Sequence, residues 1–159
     1  MELRRAVFIL EEDTSIPAGD VPLMLRAVLH RPAMERAVEQ CLADGIQRFF
    51  VVCPPRFADA AAACFPAGTE VTISEQQADL LDFLDSSEDT LVLCRAAIPY
   101  PQAGPGFAYA APARELREVW KEKMTNAVSA AVLVPGWLPL FGPETIAELE
   151  QALAAQGNV

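Results

Sequence analysis

The chain has 159 residues and a formal net charge of −10 at pH 7, and 52% of its residues are hydrophobic. This charge argues against nucleic acid or an anionic membrane surface as a partner, since both require a basic protein face. No run approaches the roughly 20 apolar residues that span a bilayer, and no signal-type cleavage pattern follows the N-terminus. The sequence predicts a single cytoplasmic globular domain over residues 1–159.

Cysteine and histidine usage gives no sign of a metal site. Cys41, Cys53, Cys64 and Cys94 lie inside apolar stretches and form no C-x-x-C pair, and His30 is the only histidine. Because zinc sites combine several such ligands at close spacing, we expect no zinc site here. The pattern instead predicts buried, reduced thiols in a cytosolic protein.

Apolar runs that predict strands alternate with amphipathic patterns that predict helices. The predicted strands are 6–10, 48–53, 70–74, 90–94 and 129–134, and the predicted helices are 32–45, 56–65, 77–85, 113–124 and 142–155. The runs are continuous, as in strands covered on both faces. We therefore predict an α/β, Rossmann-like fold of three layers, with a mainly parallel sheet and helices on both faces. Residues 96–113, rich in proline and glycine, predict a long surface loop.

In open α/β sheets, ligands bind beyond the carboxyl ends of the strands, where the strand order reverses. The loops to search are those after residues 10, 53, 74, 94 and 134. Many α/β enzymes hold a phosphate in the first of these loops, using glycines and a basic residue. Here that loop opens with three acids, Glu11, Glu12 and Asp13. Acidic residues therefore occupy the loop in which a phosphate-binding site is expected.

Six segments follow one another in the order of the motifs of a known enzyme family. They are FILEEDTS, PLML, LHRPAMERAVEQCLADGIQRFFVV, TISEQQADLL, DTLVLCRAAIPYP and PGWLPLFGPETIAELEQAL. This order resembles that of the sugar-1-phosphate nucleotidyltransferases, and most closely the N-terminal uridylyltransferase domain of bifunctional N-acetylglucosamine-1-phosphate uridylyltransferases. That family carries L-A-A-G-x-G-T-R-M, P-K-x-L, G-K-P-M, Q-A-E-Q-x-G-T and G-D-x-P-L at these places. The resemblance implies a nucleotide-diphospho-sugar transferase-like fold and is strongest at residues 28–52 and 133–153.

The active-site positions of that family are not kept. Its glycine loop lets backbone N–H groups approach a triphosphate, and an aspartate binds Mg²⁺. Of the base-reading motif, Glu75 and Gln76 match. The departures are Asp13 and Ser15 at the two glycines, Pro17 near the arginine, Leu23 at the lysine, Ala78 and Asp79 at the Gly-Thr pair, and Ala96 or Trp137 at the metal-binding aspartate. The resemblance thus implies a degenerate site with no catalytic residue and no metal ligand.

The first hypothesis is a catalytically silent nucleotidyltransferase-like domain, a pseudoenzyme kept for scaffolding, assembly or regulation. It requires no cofactor and acts with a protein partner or a fused acyltransferase domain. The final AAQGNV reads as an arbitrary stop within a longer chain. On this hypothesis Trp137, which follows Pro135 and Gly136 at a strand end, fills the crevice where a nucleotide would bind.

The second hypothesis is an active, uridylyltransferase-type enzyme with a rebuilt, Mg²⁺-dependent site. Glu12 or Asp13 holds the metal, Arg95 contacts phosphate and Gln76 contacts the base of a nucleotide or nucleotide-sugar. Each residue also has a plainer interpretation: the acids as a solvated loop, Arg95 as their ion-pair partner and Gln76 as a helix-start residue.

The third hypothesis is a receiver-type signalling domain. Such domains use an acidic cluster after the first strand to hold Mg²⁺, which Glu11, Glu12 and Asp13 would provide. They also need a phosphoacceptor aspartate after a later strand, and VVCPPR and LVLCRA contain none. This hypothesis is therefore the least favoured of the three.

Overall fold

The computed structural model describes residues 3–10, 22–28, 30–93, 95–105, 108–121, 132–139, 146–148, 150, 151 and 154. The strands in these residues are β1 Leu3–Ile9, β2 Ala27–Val28, β3 Arg31–Pro32, β4 Arg48–Val52, β5 Glu70–Ser74, β6 Asp89–Leu93, β7 Ala97–Pro99, β8 Tyr109–Pro112, β9 Val132–Leu133 and β10 Trp137–Pro139. The helices are α1 Ala33–Ala43, α2 Ala58–Ala62, α3 Gln77–Phe83 and α4 Ala113–Trp120, with short 3-10 turns at Leu23–Leu25 and Pro55–Phe57.

The main sheet has six strands in the order β5-β4-β1-β6-β8-β9. β5, β4, β1 and β6 are parallel, whereas β8 runs antiparallel to both β6 and β9. The chain moves from β1 toward β4 and β5 on one side and returns to β6 on the other. The strand order therefore reverses beside β1, and the predicted, mainly parallel sheet is confirmed.

Apolar side chains pack on both faces of this sheet. Successive side chains of a strand point to opposite faces, so Phe8 faces α1 and α2 whereas its neighbour Val7 faces α3 and α4. On the first face, Phe8 and Phe49 contact each other with ring centroids 6.0 Å apart. On the second face, Trp120 of α4 is 1% exposed. Helices thus cover both faces, which confirms the predicted three layers and explains why the apolar runs are continuous.

The predicted surface loop at 96–113 is wrong in large part. It contains β7 and β8, and Ala110 and Ala111 of β8 are completely buried. β8 pairs antiparallel with β6, with Tyr109 opposite Val92. The sequence AYAAP has little intrinsic strand propensity, so this strand is specified by its pairing with β6 and by burial, neither of which is visible in a single stretch of sequence.

Two similar stretches, LVLCRAAIPYP at 91–101 and VLVPGWLPLF at 132–141, take related courses. Each begins in the main sheet, as β6 or β9, and continues into a two-stranded ribbon formed by β7 and β10. In this ribbon Trp137 lies opposite Pro99 and Pro139 opposite Ala97. The ribbon packs beside α1, and the backbone N–H of Ala97 donates to the sulfur of Met24 at 3.4 Å.

The other predicted helices and strands lie at the observed positions, but several of their lengths differ from those of the described elements. α2 and its preceding 3-10 turn span less than the predicted 56–65, and α4 is described to Trp120 within the predicted 113–124. Of the predicted strand 129–134 and helix 142–155, the structure describes β9 and the helical residues 146–148, 150, 151 and 154. Among the described residues, no helix combines the length and apolar character needed to cross a membrane.

His30 has a positive φ of 70° just before β3. A left-handed backbone costs an L-residue roughly 1–2 kcal/mol because the Cβ approaches the following carbonyl, and glycine avoids this cost. We expect His30→Gly to raise the free energy of unfolding by about 0.5–1 kcal/mol, the gain being reduced by the greater freedom of glycine in the unfolded chain. Chemical denaturation measures the change. His30→Ala, which keeps the Cβ, should give no gain, and a less stable glycine variant would contradict the prediction.

Candidate functional site

Four parallel strands end side by side at one edge of the sheet, which we call the carboxyl edge. The ends of β4 and β5 are level, with Val52 opposite Ser74, and Val52 is also opposite Ile9 of β1. The loops that follow β5, β4, β1 and β6 therefore open next to one another, in that order. Because the strand order reverses beside β1, this is the edge where an α/β sheet binds its ligand.

The predicted site residues that the structure describes lie at this edge. Gln76 follows β5 and Arg95 follows β6, and both are exposed. β5 and β6 are three positions apart in the sheet, which corresponds to roughly 14 Å at the usual strand spacing. Gln76 and Arg95 therefore share an edge without being adjacent, so only an extended ligand reaches both. Glu12 and Asp13, the other two predicted site residues, lie outside the described residues.

Arg56 is a residue that the sequence interpretation missed. It lies in the 3-10 turn Pro55–Phe57 after β4, is exposed, and holds its guanidinium carbon 4.8 Å from the centre of the Phe57 ring. Because β4 is a neighbour of β1, Arg56 is closer to the reversal point than Gln76 is. The signal that could identify it is present in VVCPPR, where an arginine closely follows a buried strand.

The turn that carries Gln76 is held by a serine and a carboxylate. The Ser74 hydroxyl accepts the backbone N–H of Gln76 at 3.0 Å and donates to Asp79 Oδ2 at 2.6 Å. Through these two hydrogen bonds, Ser74 and Asp79 stabilise the start of α3. Gln77, the residue after Gln76, donates from Nε2 to the carbonyl of Trp120 at 2.6 Å. This hydrogen bond joins α3 to the end of α4.

We expect Ser74→Ala to lower the free energy of unfolding by about 1 kcal/mol, because it removes both hydrogen bonds of this turn at an exposed position. Asp79→Ala removes one of the same bonds and should cost slightly less. Since the two residues share that bond, the double variant should lose less than the sum of the single losses. Urea denaturation of the four proteins forms the cycle. Strictly additive losses would show that the contact between Ser74 and Asp79 carries no stability.

The two places where the resemblance locates a metal-binding aspartate are apolar and buried. Ala96 is 8% exposed and its neighbour Ala97 is 0% exposed, so no carboxylate follows β6 at either position. Trp137 is 5% exposed and belongs to the same core cluster as Ala97 and Ile98. Its ring is therefore enclosed by the core, and the expectation that it fills the crevice where a nucleotide would bind stays a prediction.

The described residues contain neither an exposed thiol nor a cluster of metal-ligating side chains. Cys41, Cys53 and Cys64 are buried thiols, as predicted, and Cys94 lies outside the described residues. Burial raises the pKa of Cys41 above its ordinary value and that of Cys64 to about 11. Both are therefore protonated thiols at neutral pH rather than nucleophilic thiolates. Within the described part of the chain, no three His, Cys, Asp or Glu side chains are grouped to hold a metal ion.

Two cavities lie away from the carboxyl edge residues. One, of about 330 Å³, lies between α1 and residues 98–101 and is lined partly by Arg36, Gln40 and Tyr100. The other, of about 400 Å³, lies where the loop after α1 meets the start of β5, and it includes Gly45 and Gly68. Neither is lined by Arg56, Gln76 or Arg95. The candidate site is therefore defined by strand ends and exposed side chains rather than by these cavities.

Comparison with solved structures identifies the fold. The chain is similar to the inositol-1-phosphate CTP transferase from T. maritima, with a TM-score of 0.66 and 10% sequence identity over 97% of this chain and 96% of that chain. It has a nucleotidyltransferase-like fold. A UDP-glucose pyrophosphorylase from Acinetobacter baumanii is also similar, with a TM-score of 0.46 and 18% identity over 63% of this chain and 48% of that chain. No protein-family model matches the sequence, and no curated protein matches it.

The nucleotidyltransferase-like fold confirms the architecture that the sequence predicts. At 10% identity the likeness concerns the fold and not the site. The resemblance to the uridylyltransferase domain in particular, and the loss of its active-site motifs, remain predictions. So do the roles of Glu12, Asp13, Gln76 and Arg95.

Proposed function

We propose that this nucleotidyltransferase-like domain no longer transfers nucleotidyl groups and acts instead in scaffolding, assembly or regulation. The observation that carries the proposal is a pair of buried alanines, Ala96 and Ala97, which lie three and four residues after the end of β6. The resemblance locates the metal-binding aspartate at Ala96 or, if the later strand is used, at Trp137, which is also buried. A methyl group cannot coordinate a divalent cation, and hard cations such as Mg²⁺ require oxygen ligands.

The missing carboxylate matters because phosphoryl and nucleotidyl transfer depend mainly on electrostatic stabilisation. Bound cations and positively charged side chains neutralise the charge that develops on the transferred group. Besides the alanines after β6, the position of the family's phosphate-binding lysine is Leu23. Asp79 supports the same conclusion, because it stands at the base-reading pair and is engaged by Ser74. These replacements at separate positions support the proposal.

The proposal includes a cytoplasmic protein without a resident cofactor, in which Mg²⁺ would be needed only if transfer activity is retained. Its partner is a second protein or a fused acyltransferase domain. If the domain is active after all, its substrates are a nucleoside triphosphate and a sugar phosphate, and its product is a nucleotide-sugar. The name of the T. maritima structural neighbour indicates which pair to include in a test, CTP with inositol-1-phosphate.

A pyrophosphate-release assay tests the proposal. The full chain is incubated with Mg²⁺, with CTP or UTP, and with inositol-1-phosphate, glucose-1-phosphate or N-acetylglucosamine-1-phosphate. We expect no release above the rate without protein, while an active CTP transferase run in parallel shows that the assay works. Turnover that Arg95→Ala abolishes would refute the proposal and establish the rebuilt enzyme of the second hypothesis.

A further inference from the structure

One face of α1 points away from the core cluster and forms a wall of a cavity. This wall consists of Arg36, Glu39, Gln40 and Ala43. Because these residues are three or four positions apart, they lie on the same face of the helix. Residues 98–101, at the end of β7, form the opposite wall, and the cavity between the two walls has a volume of about 330 Å³.

We infer that this cavity binds a free amino acid with an apolar side chain. Its volume is near the lower end of the range of roughly 300–1,000 Å³ for small-molecule sites, which suits a ligand of this size. A ligand bound here bridges α1 and β7, whereas the carboxyl edge residues Arg56, Gln76 and Arg95 do not line the cavity. The inference therefore goes beyond the proposed function and holds whether or not the domain transfers nucleotidyl groups.

The polar wall offers a positive and a negative group side by side. Arg36 and Glu39 are three positions apart on α1, a spacing that brings their Cβ atoms within roughly 5–6 Å of each other. A free amino acid carries its carboxylate and its ammonium on one carbon, so it requires opposite charges at such a short separation. A simple anion would be repelled by Glu39, and a simple amine would be repelled by Arg36. Gln40 adds an amide oxygen, which accepts hydrogen bonds from an ammonium group.

Other contacts hold the two charged side chains in place. Arg36 donates from Nε to the carbonyl of Val28 at 3.1 Å, and Arg31 donates from Nη2 to Oε1 of Glu39. A guanidinium has five N–H donors and a carboxylate has two oxygens, so each group can also contact a ligand. Side chains that are already held lose less conformational entropy when a ligand binds. Arg36 takes part in a further interaction as well, so binding exchanges some of its contacts.

The opposite wall is mostly apolar and is fixed by its backbone. Ile98 is 1% exposed, and Pro99 and Pro101 flank Tyr100, whose backbone N–H donates to the carbonyl of Gly136 at 2.8 Å. Of residues 98–101, only Tyr100 has a polar atom in its side chain. This wall suits an aliphatic or aromatic side chain. A monosaccharide has hydroxyl groups on all sides, and those facing this wall would lose hydrogen bonds to water without replacement.

Calorimetric titration of the full chain with L-leucine and with L-phenylalanine tests the inference. Two analogues of leucine separate the two charges: isocaproate lacks the ammonium, and L-leucinamide has a neutral amide in place of the carboxylate. We expect saturable binding of at least one of the two amino acids, and binding of leucine at least tenfold tighter than that of either analogue, because each analogue loses a hydrogen bond between charged groups. Glycine, which lacks an apolar side chain, should also bind at least tenfold more weakly than leucine.

Variants of the cavity assign each charge to its residue. Arg36→Gln should remove the preference for leucine over leucinamide, and Glu39→Gln should remove the preference for leucine over isocaproate. Ala43→Phe fills part of the cavity from an exposed position and should weaken leucine binding at least tenfold. Arg114→Gln and Glu118→Gln are the matched controls. They make the same charge changes at exposed positions of α4, on the other face of the sheet, and should leave the affinity within twofold.

The melting temperature of each variant, measured without ligand, verifies that it is folded. Ala43→Phe disturbs no hydrogen bond of its own side chain, so it keeps the test decisive if Arg36→Gln is unstable. Four results would overturn the inference: no saturable binding of either amino acid, tighter binding of glucose than of leucine, analogues that bind as tightly as leucine, or an affinity that the cavity variants leave unchanged. The pyrophosphate-release assay fails or succeeds separately, because none of its substrates is an amino acid.

Discussion

Trp137→Ala is expected to lower the free energy of unfolding by about 3–5 kcal/mol, the usual range for truncation of a buried tryptophan. The Trp137 side chain is 5% exposed and packs in the core cluster with Ala97 and Ile98. Its strand, β10, pairs only three residues with β7. So short a ribbon has few backbone hydrogen bonds, and most of its stability comes from the apolar side chains that it buries.

The chain has two tryptophans, so the Trp137→Ala protein retains Trp120 as a fluorescent probe of guanidinium unfolding. Trp120 is 1% exposed and reports exposure of the opposite face of the sheet. Trp137→Phe, which keeps an aromatic ring, should lose less than half as much stability. A loss below about 0.5 kcal/mol in Trp137→Ala would be in the range of a surface substitution and would show that the ring does not fill the core.

Arg5→Ala is expected to lower the free energy of unfolding by about 2 kcal/mol, because it removes several charge-assisted contacts at once. Arg5 lies on β1, the central strand, and its side chain is 9% exposed. Its Nε donates to Glu88 Oε1 at 2.9 Å, and a second nitrogen donates to the carbonyl of Phe83. The guanidinium carbon also lies 4.9 Å from the centre of the Phe83 ring. One side chain thus joins the first strand to the segment between α3 and β6.

The same contact makes stability depend on pH. The hydrogen bond from Arg5 holds the pKa of the Glu88 carboxyl below its ordinary value of 4.5. A lowered folded-state pKa means that this contribution is fully present above the ordinary value and is lost as the pH falls through the lowered one. Wild-type protein should therefore lose stability below about pH 4.5. Arg5→Ala should lose the Glu88 part of that dependence.

Urea denaturation between pH 3 and pH 7 measures both effects of Arg5→Ala. Glu88→Gln is the control: it should flatten the same pH dependence, yet cost less at pH 7, because Glu88 is 39% exposed and remains largely solvated. An Arg5→Ala protein with the stability and pH profile of the wild type would show that Arg5 contributes nothing beyond what solvent provides.

The parts of the fold that the sequence predicts well are those with a local physical signal. The apolar run ending at Val52 and the amphipathic stripe of α1 each identify their element without reference to the rest of the chain. β8 could not be found in this way, because alanines carry no strand signal and its place beside β6 depends on long-range pairing. The prolines of residues 96–113 indicated a loop, yet Pro112 ends a strand and directly precedes α4.

The candidate site was predicted less well, because a site depends on which strand ends become neighbours. Gln76 and Arg95 each follow a predicted strand, and the structure places both at the carboxyl edge. Arg56 required knowing that β4 lies directly beside β1, which the sequence does not state. Motif position predicts a positive charge in the β1 loop itself, whereas the structure has Arg56 after β4 and Arg95 after β6, the two strands beside β1.

The central position of β1 also bears on the order in which the protein folds. β1 precedes both of its partners in the chain, yet it lies between them in the sheet, and its pairing with β6 joins residues more than eighty positions apart. Non-local pairing of this kind slows folding and exposes unpaired strands in the meantime. On the ribosome, the apolar stretch around Val7 and Phe8 must remain unpaired on one side until β6 has emerged. Nascent chains from which β6 has not yet emerged are therefore expected to be the most prone to aggregation and the most dependent on chaperones.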